Sequence, residues 1–356
     1  MAFDGRALTA SAGGVRRYIH ELCGAITRAD RSVELLALGA ESGAAPPPGV
    51  TITPSRGSLP TGLGWNLIGL PISARRVPHD ILHAPALMAP LWGVRRLVMT
   101  VHDVGHARMP EWHPHQNDPI RRAMFGASVR RASRILTGSL FSRNEIVSAY
   151  QVDPALVDIV PLGVSPDFSP NRAVSREPFV LHVGDLVPRR NLELLVDAVL
   201  AIRQSEPECS KLRLILAGTD RGVLARLRRR AASTPDALGF VGRPDDHGLL
   251  DLYRRAAVFA YPSRYEGFGL PLLEAMACGT PVVASAAGSL PEIVGDSAPL
   301  LSPDDVGSWR GMIRRILTEP VLAADISARV LVRSRVFTWD KTARETIACY
   351  SRVMNA

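Results

Sequence analysis

Short β-branched runs alternate with helix-length amphipathic segments along this chain, and that alternation restricts the folds open to it more than any other feature. Strand candidates in the first half are 33–38, 81–83, 97–102, 135–137 and 157–161, and the stripe Val15, Tyr18, Ile19, Leu22 and Ile26 predicts a helix over 15–27. The second half repeats the pattern, with strands expected at 179–183, 212–217, 240–241, 258–261 and 281–284. Helices are expected at 192–203, 223–232, 249–255 and 270–278. Such βα alternation predicts parallel, doubly wound sheets. At 356 residues the chain exceeds what one core usually organises, so two domains are expected. Prolines and turn formers from Gly163 to Pro170, then a polar stretch to Pro178, place a linker at about 164–177. This gives an N-terminal Rossmann-like domain over 1–170 and a C-terminal one over 171–338. The last helix, 339–353, is expected to pack back on the first domain.

Composition narrows the function. Hydrophobic residues make up 46% and charged residues 21%, the balance of a soluble globular protein. No apolar run reaches the ~18 residues of a membrane span. The first residues lack the basic and apolar regions of a signal peptide, which predicts a cytoplasmic location. Cys23, Cys209, Cys278 and Cys349 are scattered and read as reduced thiols. The net charge of +8 is almost all arginine. With aromatics at 6% and no recognition-helix or zinc-finger pattern, no nucleic-acid partner is expected.

The chemistry concentrates between Glu266 and Glu274. The apolar run ending at Tyr261-Pro262 is followed by Gly267 and Gly269, and then by a helix with Pro271 in its first turn. A helix start after a glycine turn presents unpaired N–H groups and partial positive charge to an anion such as a diphosphate. The two glutamates accept hydrogen bonds from hydroxyls, and diphosphate plus hydroxyls describes a nucleotide sugar. Arg189 and Arg190, after another strand, supply counter-charge. His102 ends a first-half strand, with the hydrogen bonding and pKa of a proton relay. There is no Asp-x-Asp, and Asp245-Asp246 and Asp304-Asp305 read as turn residues, so no metal and no resident cofactor is expected.

The stretch Tyr261 to Pro271, continued by Glu274 to Ala284, resembles the donor-site signature of retaining glycosyltransferases of the GT-B fold, family 4. Four patches follow the same order as in that family: Gly13-Gly14, Thr100 to Asp103, Val183 to Asn191, and Phe337 to Trp339. The resemblance covers nearly the whole chain. It implies two Rossmann-like domains facing across a cleft, with Glu266 on the donor sugar and Glu274 on the ribose. Backbone N–H groups of Phe268, Gly269 and Leu270 would meet sugar and phosphate beside Gly267. It also implies that Gly13, Gly14, Gly184 and Val241 line the donor site, and that His102, Arg189, Arg190 and Glu266 serve the reaction. The implied route is front-face, with the leaving phosphate helping to deprotonate the acceptor. Some members carry arginine directly after the glycine, where this chain has Asp185.

Ser139 to Ser142 and Pro161 to Val164 resemble mannosyltransferase-like members, which makes GDP-mannose the expected donor and a glycan or glycolipid the expected acceptor. UDP-glucose, UDP-GlcNAc and dTDP-rhamnose remain open as donors. A nucleotide-sugar epimerase of the same architecture and a non-catalytic nucleotide-sugar-binding protein remain open as functions. The basic segment from Pro119 to Arg134, with Met124, Phe125 and Val129, is either a solvated helix face or a surface that lies on anionic membrane to meet a lipid-linked acceptor. The stretch 59–70, with Trp65, is a candidate acceptor-site or membrane-facing helix.

Overall fold

A computed structural model describes residues 1–9, 13–40, 46–53, 62–86, 88–112, 118–171 and 173–356. The chain divides into two compact units, Met1–Gly163 with Phe337–Ala356, and Val164–Val336.

The first unit holds a parallel sheet of β1 (Ala2–Asp4), β2 (Leu35–Leu38), β3 (Val50–Thr53), β4 (Leu82–Ala84), β5 (Leu97–Thr100), β6 (Arg134–Thr137) and β7 (Val157–Ile159), in the order β3-β2-β1-β4-β5-β6-β7. An interior strand, β1, was not expected from the sequence. Three residues are too short to show a period, yet Ala2 and Phe3 are fully buried, with Phe3 in register with Ala37 on one side and His83 on the other. The edge strand β3 was not expected either. β5 stops at Thr100, so His102 lies in the loop beyond it. The closing helix Trp339–Met354 belongs to this unit. It is held by Thr342 Oγ1 donating to the Pro161 carbonyl at 2.7 Å and by Tyr350 bonding His83 at 2.7 Å. Gly163 lets the chain pass here, since any side chain would collide with the Trp339 backbone.

The second unit holds β8 (Glu177–Val183), β9 (Arg213–Ala217), β10 (Leu238–Phe240), β11 (Ala256–Tyr261), β12 (Val282–Ser285) and β13 (Leu300–Leu301), in the order β10-β9-β8-β11-β12-β13, all parallel. Strands covered on both faces are apolar throughout, as in Phe179-Val180-Leu181 and Val258-Phe259-Ala260. The segment after Gly163 is no free linker. Phe168 packs edge-on against Tyr253, ring centroids 5.8 Å apart, and Arg254 donates to the Ser169 carbonyl at 2.8 Å.

Strand order locates the ligand side of each unit. In an open α/β sheet, crossovers that leave in opposite directions open a crevice beyond the strand C-termini. In the second unit the order reverses between β8 and β11, and in the first between β1 and β4.

Candidate functional site

Arg189 and Arg190 lie after β8, in the 3-10 turn Pro188–Arg190, and Glu266 lies after β11. The two loops flank the switch point, which is why residues so far apart in sequence meet. The Glu266 carboxylate sits 3.0 Å from Arg189 Nη1 and accepts a shorter hydrogen bond from Arg190 Nη1. Arg190 is 8% exposed and Glu266 5%. Burial at this level requires a charge to be paired.

The surroundings hold this triad in place. Arg189 also donates to the Tyr265 carbonyl at 2.7 Å, and its own carbonyl accepts from Arg264 N at 2.9 Å. Arg190 donates to the Tyr261 hydroxyl and lies over that ring, 5.0 Å from its centroid. Tyr261 stacks on His182, which gives its Nδ1 hydrogen to the Ala260 carbonyl. Burial, reinforced by Arg190, holds the His182 pKa down to about 3, so this layer is neutral. Asn191, left-handed at φ 55°, ends the turn and donates to the Pro303 carbonyl at 2.7 Å. Behind Glu266, Ser289 Oγ donates to the Glu266 carbonyl at 3.0 Å. Gly288 (φ 61°) packs so close that a Cβ would lie 2.8 Å from the Glu266 backbone.

One donor in this cluster has no acceptor. Arg190 Nε is buried without a hydrogen-bond partner. Gly184 (φ 141°) lies against it, where a side chain would press on the guanidinium at 3.2 Å. An orphaned guanidinium N–H beside a glycine turn at a switch point is equipped to take an anionic oxygen.

The helix Leu270–Ala277 starts from Gly269, at φ 105°, after Gly267 and Phe268. The helix N-terminus therefore lies just past β11, with Pro271 at its start and Leu272 and Leu273 N already donating to the Gly269 carbonyl. Glu274 lies within this helix, 3% exposed, and accepts from the Tyr253 hydroxyl at 2.9 Å. Val241 is just past β10 and 48% exposed. Asp185 pairs with Arg221, 3.1 Å from its Nη2.

In the first unit, Gly13 opens the helix Gly13–Ala29, and a Cβ at Gly14 would meet nothing within 4 Å. His102 is half-buried and donates from Nε2 to the Pro85 carbonyl at 3.1 Å, which leaves Nδ1 as its acceptor. Its ring meets Tyr18 edge-on at 4.8 Å. Burial lowers its pKa, against the opposing pull of Asp103 and the Pro85 bond. Beneath it runs a buried chain, Tyr18 to Thr100 at 2.7 Å, Thr100 to His83 at 2.8 Å, and His83 to Tyr350 at 2.7 Å.

The structure bears on two surface expectations. The apolar side chains of the basic segment, Met124, Phe125 and Val129, are buried in the helix Pro119–Arg131, so they do not face a bilayer. Arg131 donates to the Val94 carbonyl and Arg134 to that of Ala155. Trp65 is 1% exposed, with its indole N–H on Asp4 at 2.9 Å and Arg6 over its ring. It is a core residue; residues 59–61 of that stretch lie outside those described. No helix among the described residues is long and apolar enough to cross a membrane.

The groups that hold the triad were not expected from the sequence: Tyr261, Gly288, Ser289, and Ser263, whose Oγ accepts from Arg190 Nη1 at 3.4 Å. Tyr261 and Ser263 stood within the quoted signature, and Ala286 to Ser289 is a small-residue run directly after β12. That run was the available signal.

Two units of doubly wound parallel sheet, each with its crevice at the strand C-termini, define the GT-B class of glycosyltransferase folds. Solved structures agree. Sucrose-phosphate synthase from Thermosynechococcus elongatus matches with a TM-score of 0.79 at 21% identity, over 99% of this chain and 98% of that one. WaaG, a glycosyltransferase involved in lipopolysaccharide biosynthesis, matches at 0.74 and 16% identity, over 98% and 97%. Anabaena HepE in complex with UDP and glucose matches at 0.73 and 19%, over 98% of each chain. Family models match in order, Glycosyltransferase Family 4 over residues 12–168 and Glycosyl transferases group 1 over 165–330. The O-antigen chain mannosyltransferase B of Escherichia coli is 33% identical over 76% of this chain and 74% of its own length. The D-inositol 3-phosphate glycosyltransferase of Gordonia bronchialis is 28% identical over 98% and 86%. The chain belongs to the family 4 glycosyltransferases of GT-B fold, and it is a glycosyltransferase.

Proposed function

We propose that the protein is a retaining, metal-independent hexosyltransferase that moves mannose from GDP-mannose to a glycan or glycolipid acceptor. The observation that carries the donor site is the buried Arg189–Arg190–Glu266 triad at the β8/β11 switch point, with Arg190 Nε unpartnered. In the resting protein Glu266 pairs with both arginines, which leaves the triad one net positive charge. When a nucleotide sugar binds, its diphosphate takes over the guanidinium groups, and the carboxylate becomes an acceptor for sugar hydroxyls. As the glycosidic bond breaks, negative charge grows on the departing nucleotide diphosphate, where the arginines stabilise it more than in the ground state. The N–H groups of Phe268, Gly269 and Leu270 donate to phosphate or sugar oxygens, Glu274 takes the ribose, and Val241 the nucleoside. In the first unit, Gly13-Gly14 and the free acceptor nitrogen of His102 serve sugar hydroxyls. Glu266 is a binding group in this scheme, and the acceptor attacks on the face that the leaving group vacates.

Mannose is supported by two relatives named mannosyltransferases, that of Escherichia coli and the MMP alpha-(1->4)-mannosyltransferase of Mycolicibacterium hassiacum, 32% identical over 63% of this chain. UDP-glucose is the second reading, favoured by the HepE structure with UDP-glucose. The test is a panel of GDP-mannose, UDP-glucose, UDP-GlcNAc and dTDP-rhamnose with soluble and lipid-linked glycan acceptors, read by mass spectrometry and anomeric NMR. Transfer with the donor's anomeric configuration, undiminished by EDTA, is expected. Inversion, loss of turnover in EDTA, or release of free epimerised sugar without transfer would contradict the reading.

A further inference from the structure

Asp185 places a carboxylate at the end of β8, directly after Gly184 and beside the arginine cluster. Left alone, it would repel a diphosphate. Arg221, from the loop after β9, meets it with Nε at 3.2 Å and Nη2 at 3.1 Å. That loop is fixed. Leu186 N donates to the Thr219 carbonyl at 2.9 Å, and Arg221 N to the Leu186 carbonyl at 3.2 Å. Asp220 Oδ1 accepts the N–H groups of Gly222, Val223 and Leu224. Gly218 and Gly184, both at positive φ, abut so closely that a Cβ on Gly218 would collide with the Gly184 carbonyl. The result is a guanidinium on a rigid loop at a strand C-terminus, half-exposed, with Nη1 unused by Asp185.

β9 lies on the side of β8 away from β11, and β10 with Val241 lies beyond it. A nucleotide sugar with its sugar at Glu266 therefore runs from β11 across β8 towards β9 and β10. We infer that Arg221 is a donor-recognition residue, positioned by Asp185, whose guanidinium meets the phosphate nearest the nucleoside. This rests on the donor site proposed above.

The test compares wild type, Arg221→Ala, Arg221→Lys and Arg190→Ala by ligand-observed NMR titration. The probes are guanosine, GMP and GDP, and uridine, UMP and UDP. Because the Asp185–Arg221 pair is exposed, the two Arg221 variants are expected to keep the wild-type melting profile. Arg221→Ala should weaken mono- and diphosphates alike by roughly tenfold, the scale of one charge-assisted hydrogen bond. Nucleoside binding should be unchanged and Arg221→Lys should recover part of the loss, whereas Arg190→Ala should weaken the diphosphates selectively. Wild-type affinities in Arg221→Ala beside a loss in Arg190→Ala would overturn the role of Arg221 alone. Equal loss for nucleoside and nucleotide would also overturn it. Wild-type affinities in Arg190→Ala would remove the donor site itself.

Discussion

Glu266 is the residue on which the site turns, and its partners change what a substitution there means. Glu266→Ala removes the proposed sugar contact and also takes the carboxylate from two cations, one of them buried. The protein should lose about 3–5 kcal/mol in urea unfolding, the scale of a broken buried pair. Arg190→Ala leaves Glu266 with Arg189, so its stability cost should be smaller while turnover falls by about 100-fold or more. The double variant should cost less than the two singles summed, with a coupling of about 1–3 kcal/mol. Strict additivity would mean that the pair is not coupled in solution. The sequence singled out both residues as donor-site candidates. Their mutual pairing was not legible there, because they are 76 positions apart and meet only through the adjacency of β8 and β11, which no local pattern encodes.

At the scale of elements, glycine turns and the closing helix give the sharpest expectations. Gly218→Ala forces a positive φ and a clash with the Gly184 backbone, so it should cost at least about 2 kcal/mol and displace the loop bearing Arg221. Circular-dichroism melts check this, and a neutral outcome would mean that the two turns do not abut. Tyr350→Phe removes one hydrogen bond to buried His83 and should cost about 1–2 kcal/mol. Strands such as β8, β9 and β11 were readable because burial on both faces leaves continuous β-branched runs. β1 carries no such signal in three residues, though it lies inside its sheet between β2 and β4. The helices Val306–Thr318 and Pro320–Ser334 were not expected either, although Trp309, Ile313 and Ile316 stand at helical spacing in the first. Trp65 misled for a different reason. An indole in an apolar run reads as a surface anchor, and its burial depends on Gly39 and Gly69, which have no side chains to occupy the space that the ring fills.

For the molecule as a whole, each unit carries a fully buried histidine with its pKa held down to about 3, His83 in the first and His182 in the second. Burial is the leading cause for both, and the folded state binds fewer protons than the unfolded one between that value and about 6.5. Stability is therefore full above pH 6.5 and falls as the medium acidifies, by up to about 1.4 kcal/mol per pH unit for each histidine. Urea unfolding at pH 7.5, 6.5 and 5.5 checks the slope, and a flat profile would contradict the buried neutral state. The central claim, that the second unit binds the nucleotide diphosphate at its β8/β11 switch point, is tested most directly by hydrogen–deuterium exchange with and without saturating GDP and UDP. Protection is expected in both 184–190 and 263–270, the segments on either side of that crevice. Protection confined to other segments, with these two unchanged by any nucleotide that binds, would contradict it.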